Sequence, residues 1–161
     1  MGVSGCGKSS LAQALAQACA LPWIEGDDFH SPESRAKMSQ GIALTDADRA
    51  GWLDTLGAAL QRHADGAVLA CSALKRAYRE RLRARAPGLR FVFLEIAKPE
   101  ALRRVQARAA THFFSATLVD DQFATLEPPR DEAGVLTVDA TLPLAHLQQQ
   151  VAQWLQHAVQ A

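Results

Sequence analysis

Apolar positions along the chain fall into alternating helix-length and strand-length blocks. From Lys8 to Ala20, Leu11, Ala14, Leu15 and Ala18 recur at helical spacing, and Pro22 stops the helix they define. Trp23-Ile24-Glu25 is a short strand candidate that runs into the polar cluster Gly26-Asp27-Asp28-Phe29-His30. A short helix is expected from Pro32, a residue suited to a first helical turn, through Met38, with Gly41 breaking it. Thr45-Asp46-Ala47-Asp48 resembles a capping box with aspartate in the third helical position. It opens a helix with Trp52, Leu53, Leu56, Ala59, Leu60 and His63 on one side, ended by Gly66.

The run Ala67-Val68-Leu69-Ala70-Cys71 is continuously apolar and of strand length, the pattern of a parallel strand covered on both faces. Ser72 and Lys75 are expected to begin the next helix, which is basic and carries Arg76, Arg79, Arg81, Arg83 and Arg85. Pro87-Gly88 turns the chain into a strand over Arg90–Ile96, and Pro99 starts a helix with Leu102, Val105 and Arg108. Residues 109–130 show no simple period, and a segment of that length within a compact domain predicts a lid. Val135–Asp139 is a last strand. Pro143 opens a terminal helix with Leu144, Leu147, Val151, Trp154, Leu155 and Ala158 facing inward.

Alternating strands and helices predict an α/β fold, an open parallel sheet wrapped by helices, forming one domain over residues 1–161. Such sheets bind ligands beyond the carboxyl ends of their strands, where Gly26-Asp27-Asp28 and Cys71-Ser72 fall. Lysine plus arginine and aspartate plus glutamate balance at 17 each, so no basic field points to a nucleic-acid partner. No apolar run is long enough for a membrane span, and no signal-peptide pattern is visible. The three separated cysteines suit a reducing, cytoplasmic setting.

The chemistry begins in the first nine residues. Gly2-Val3-Ser4-Gly5-Cys6-Gly7-Lys8-Ser9 fits G-x-x-x-x-G-K-[ST], the phosphate-binding loop pattern. Its glycines let backbone N–H groups turn inward around a polyphosphate, at the positive end of the following helix. Gly2 to Ser10 are therefore the candidate ATP-binding segment, Lys8 the cation for the β- and γ-phosphates, and Ser9 the Mg²⁺ ligand. Asp27 is placed to orient an acceptor hydroxyl and take its proton, with Glu25 or Asp28 helping to hold hydrated Mg²⁺. Arg49 and His30 are candidate acceptor contacts, although a surface arginine and a turn histidine have ordinary readings too. Ser72, Lys75 and Arg79 form a candidate anion- or polyol-binding corner, set against a merely basic helix face. Arg108 can deliver positive charge to the transferring phosphoryl group. Cys6, beside a helix N-terminus and Lys8, is a candidate for thiol reactivity or a small filler.

Together these blocks resemble the gluconokinases of the P-loop small-molecule kinase group, the thermoresistant type. The likeness rests on the phosphate loop, Glu25-Gly26-Asp27-Asp28-Phe29-His30-Ser31-Pro32, Lys37 to Arg49 with Trp52-Leu53, Cys71 to Arg79, and His112-Phe113-Phe114 to Pro128. It implies ATP- and Mg²⁺-dependent phosphorylation of D-gluconate at its terminal hydroxyl, in gluconate utilisation. It also implies Asp27 as the acceptor-side carboxylate, Arg49 and Lys75 as substrate ligands, Arg108 as a lid arginine, and a homodimer. Another small-molecule or nucleotide kinase of the same fold, or an ATP-binding protein without turnover, are the alternatives.

One departure from the resemblance concerns the sheet. The implied strand order is 2-3-1-4-5, and no residues precede the loop to form the central strand. Losing a central strand leaves buried N–H and C=O groups without partners. That should outweigh the roughly 5–15 kcal/mol of a typical domain's stability. The natural start is accordingly expected upstream, with Met1 internal.

Overall fold

The computed structural model describes residues 1–108 and 116–159. Helix α1 (Lys8–Cys19) leaves the phosphate loop and stops where Ala20 turns left-handed, two residues before Pro22. Strand β1 (Trp23–Glu25) leads into a single 3₁₀ turn, Gly26–Phe29. Helix α2 (Pro32–Ser39) follows, with the Ser31 hydroxyl accepting the Ser34 N–H as its cap. Helix α3 (Asp46–Gln61) opens on a full capping box, in which Thr45 and Asp48 each accept the other's backbone N–H. Substituting such a cap typically costs about 1 kcal/mol. The helix ends two residues before His63, which is exposed and does not belong to its buried side as expected.

Strand β2 (Val68–Ala70) precedes helix α4 (Arg76–Arg85). Here the expected helix start moves. Residues 71–74 are not helical, Ala73 takes a positive φ of 43°, and Lys75 is the N-cap. Strand β3 (Phe91–Glu95), helix α5 (Lys98–Arg108), helix α6 (Ala116–Thr125), strand β4 (Val135–Asp139) and helix α7 (Leu144–Val159) complete the order. Ten residues of the segment expected to be irregular are thus helix α6. His112, Phe113 and Phe114 lie outside the described residues. On α7, Leu144 is 43% exposed, so the inward face starts at Leu147 and not before.

The strands form two parallel pairs, β1 with β2 and β3 with β4. Met1 and Gly2 lie between them. The Met1 amine donates to Val92 O at 2.6 Å, Leu94 N–H to Met1 O at 3.0 Å, and Gly2 N–H to Ser72 O at 3.2 Å. The order is therefore β1-β2, then Met1–Gly2, then β3-β4, with the loop's first residues in the central position.

Strand β3 shows why its apolar run is unbroken. Phe91 and Phe93 pack with Trp52, Leu53, Leu56 and Leu82 of α3 and α4 on one face. Leu94 packs with Val3, Leu11, Leu15 and Val151 on the other, and Val92 lies partly buried against the same group. Each fully buried side chain of this kind contributes about 1.5–3 kcal/mol. Among the described residues no helix is long and apolar enough to cross a membrane.

Candidate active site

The phosphate loop keeps its shape through glycine. Gly5 has φ +83°, and a Cβ there would lie 2.7 Å from the Ala101 carbonyl oxygen of α5. Val3 and Cys6 are each 1% exposed and turn their side chains into the core, so the loop presents its backbone outward. Cys6 thus fills space beneath the loop, with its thiol shielded from solvent. Lys8 Nζ donates to Val3 O at 3.0 Å, which ties the ammonium across its own loop.

A cleft of about 770 Å³ opens at this loop. Ser4, Gly5, Gly7, Lys8, Ser9 and Ser10 line it from the loop side, Glu25, Asp27 and Asp28 from the end of β1, and Arg108 from the end of α5. Burial raises the Glu25 carboxyl above its usual value. The nearby Ser9 hydroxyl opposes that shift and Asp27 adds to it.

Asp27 also lines a second, smaller chamber with His30, Leu44, Arg49, Trp52 and Ser72. One carboxylate therefore faces both spaces. Its position is fixed from α3, because the buried Trp52 indole N–H donates to Gly26 O at 2.8 Å. His30 Nε2 stands 3.8 Å from Asp27 Oδ1, and the buried Nδ1 has no hydrogen-bond partner. Burial of the ring lowers its pKa, with Asp27 pulling the other way. Arg49 is steered by a hydrogen bond to Leu44 O at 2.6 Å and by the Tyr78 ring 5.8 Å away.

The Ser72–Lys75–Arg79 corner divides. Ser72 reaches the chamber. Lys75 lines neither space and is paired with Asp46 at 2.8 Å, a contact that raises its pKa. Arg79 reaches neither space. Its guanidinium is fully buried, bonded to Glu132 and to the carbonyl oxygens of Ala73, Leu74 and Glu127. The helical spacing that seemed to aim it at the corner aims it under the corner instead.

Three contributors had no sequence signal of their own. Arg35 lines the large cleft, held by Asp28 O at 2.7 Å. Leu118 and Asp121 reach the smaller chamber from α6. Arg35 sits on a helix with almost no apolar face, and α6 has only a weak period.

Residues 1–129 match the family described as AAA domain (AAA_33). A gluconokinase of Gluconobacter oxydans is 45% identical over 141 residues, covering 86% of this chain and 79% of that protein. The thermoresistant gluconokinase of Escherichia coli is 40% identical over 148 residues, covering 89% and 84%. The crystal structure of a gluconokinase from Sinorhizobium meliloti superposes with a TM-score of 0.85 at 44% identity, covering 98% of this chain and 94% of that one. With a phosphate loop, a carboxylate between two chambers and likeness over nearly the whole chain, the protein belongs to the gluconokinase family of P-loop kinases.

Proposed function

We propose that this chain transfers the γ-phosphoryl group of ATP to the terminal hydroxyl of D-gluconate, giving 6-phospho-D-gluconate. The observation that carries the reading is Asp27, shared between the phosphate cleft and the smaller chamber. ATP lies with its phosphates on the loop amides and Lys8. Gluconate lies at the Asp27 end of the large cleft and meets the groups around the smaller chamber, itself only about 30 Å³. Arg49 suits its carboxylate, and Ser72 and His30 suit its hydroxyls.

Phosphoryl transfer asks for positioning and for charge stabilisation. Asp27 accepts a hydrogen bond from the acceptor hydroxyl, aligns its oxygen with the phosphorus and takes the proton as the new O–P bond forms. Arg108, on the cleft wall, offsets charge on the transferring group. Lys8 leaves the Val3 carbonyl for the phosphate oxygens, an exchange of a neutral acceptor for a charged one.

Ser9 and Glu25 would hold Mg²⁺. Among the described residues no group of three or more His, Cys, Asp or Glu could form a cage. That suits an ion which keeps waters and takes phosphate oxygens. When bound it neutralises charge on the β- and γ-phosphates. Cys6, Cys19 and Cys71 are free thiols, which supports a cytoplasmic enzyme.

ADP release measured with gluconate, shikimate and nucleoside monophosphates tests the assignment. Release that depends on gluconate is expected. A preference for another acceptor would move the chain to a different kinase activity, and ATP binding without turnover would remove the enzyme reading.

A further inference from the structure

Gln122 connects the phosphate loop to the wall of the acceptor chamber. Its Oε1 accepts the Ser4 N–H at 2.6 Å, between residues 118 positions apart, and the side chain is almost fully buried. Ser4 belongs to the loop whose amides turn toward phosphate, so this bond fixes where the loop stands relative to α6. The helix is anchored elsewhere too. Asp120 pairs with Lys98 of α5 at 2.8 Å. Just past its end, Glu127 N–H donates to Leu74 O at 2.9 Å and the Glu127 carboxylate accepts the Arg76 N–H at 2.6 Å. The same ten-residue helix supplies Leu118 and Asp121 to the acceptor chamber. Gln122 and these two residues lie one and four positions apart, within about one turn.

We propose that Gln122 is a positioning residue for the acceptor. By holding the Ser4 N–H it sets the Leu118–Asp121 wall against the phosphate loop, and acceptor affinity depends on that register. The side chain suits the place chemically. An amide oxygen accepts as a carboxylate does, but without a charge that would repel phosphate. The inference rests on the gluconate kinase reading.

Steady-state kinetics of the full chain, with ATP and gluconate varied separately, test it on Gln122→Met and Gln122→Glu. Methionine keeps the length and removes the acceptor, and glutamate keeps the acceptor. Gln122→Met is expected to raise the KM for gluconate about tenfold, the scale of one hydrogen bond, with the KM for ATP within about threefold of wild type and the melting temperature lowered, since the Ser4 N–H loses its acceptor. Gln122→Glu, at saturating ATP, is expected to return the KM for gluconate to within about threefold of wild type. An unchanged gluconate KM in Gln122→Met, an effect on ATP alone, or equal rises in both variants would overturn the proposal. Wild-type protein without gluconate-dependent ADP release would instead remove the kinase reading beneath it.

Discussion

The His30 ring lies flat against the Trp52 indole, with centroids 4.4 Å apart and planes 14° from parallel. Trp52 also holds Gly26 O through its indole N–H. A single side chain of α3 therefore grips both ends of the turn that carries Asp27, and the position of that carboxylate is set by packing as much as by the turn itself.

That packing predicts a pH dependence. Burial lowers the His30 pKa, opposed by Asp27 and reinforced by Arg35 and Arg49. In the pH range between the lowered folded value and the ordinary value of about 6.5, the unfolded chain binds more protons than the folded one. Stability from this site is thus complete above about pH 6.5 and declines as pH falls below it. Denaturation midpoints of wild type and His30→Gln, compared at pH 7.5 and 5.5, should show the steeper loss in wild type. Parallel slopes would mean that His30 titrates normally.

Asp27→Asn keeps the shape of the turn and removes the carboxylate proposed as the base. The expected result is a fall in kcat of roughly 10²–10⁴-fold with ATP affinity within about threefold of wild type. Stopped-flow phosphoryl transfer and nucleotide titration separate the two quantities. Near-normal turnover would take the proton-accepting role away from Asp27.

Gly26→Ala is the stringent structural counterpart. A Cβ at Gly26 would lie 2.5 Å from the Ala70 carbonyl oxygen, and backbone cannot yield as a flexible side chain can. The turn must move off β2, and Asp27 moves with it. A displacement near 1 Å can cost about 10²-fold in rate. The variant should lose kcat while nucleotide binding at the loop persists, and full activity would show that the turn tolerates the shift.

How much of this was legible in the residues depends on the kind of signal. The phosphate loop, the capping box at Thr45–Asp48 and the extent of β4 follow from local rules, and all three stand in the structure as expected. The start of α4 followed only in part, because Ser72 and Lys75 read together as a polar helix start, and the structure keeps Lys75 as the N-cap but leaves Ser72 outside. The tertiary bonds to the Ala73 and Leu74 carbonyls hold that stretch in another conformation, with Ala73 left-handed. Arg79 failed for a related reason. A charged residue on a basic helix looks exposed, and its partner Glu132 lies 53 positions away with no local pattern to announce the pair. Leu118 and Asp121 were hidden because α6 falls in a segment without periodicity.

The Arg79–Glu132 pair yields the last prediction. Arg79 is fully buried and the Glu132 side chain 7% exposed, with Arg83 adding a second bond at 3.1 Å. The guanidiniums hold the Glu132 carboxyl below its usual range. Removing one partner leaves a buried charge without compensation, a loss of about 3–5 kcal/mol. Glu132→Ala strands the buried Arg79 charge and should lower the denaturation midpoint sharply, whereas Arg79→Met should be milder, since Arg83 still pairs with Glu132 and the methionine fills the space. It still frees the carbonyl oxygens of Ala73, Leu74 and Glu127, which set the path from Ser72 to Lys75. In Arg79→Met the KM for gluconate should rise while that for ATP stays close to wild type. Equal stability losses in the two variants, with unchanged kinetics, would make the pair a strut for the fold with no influence on the acceptor corner.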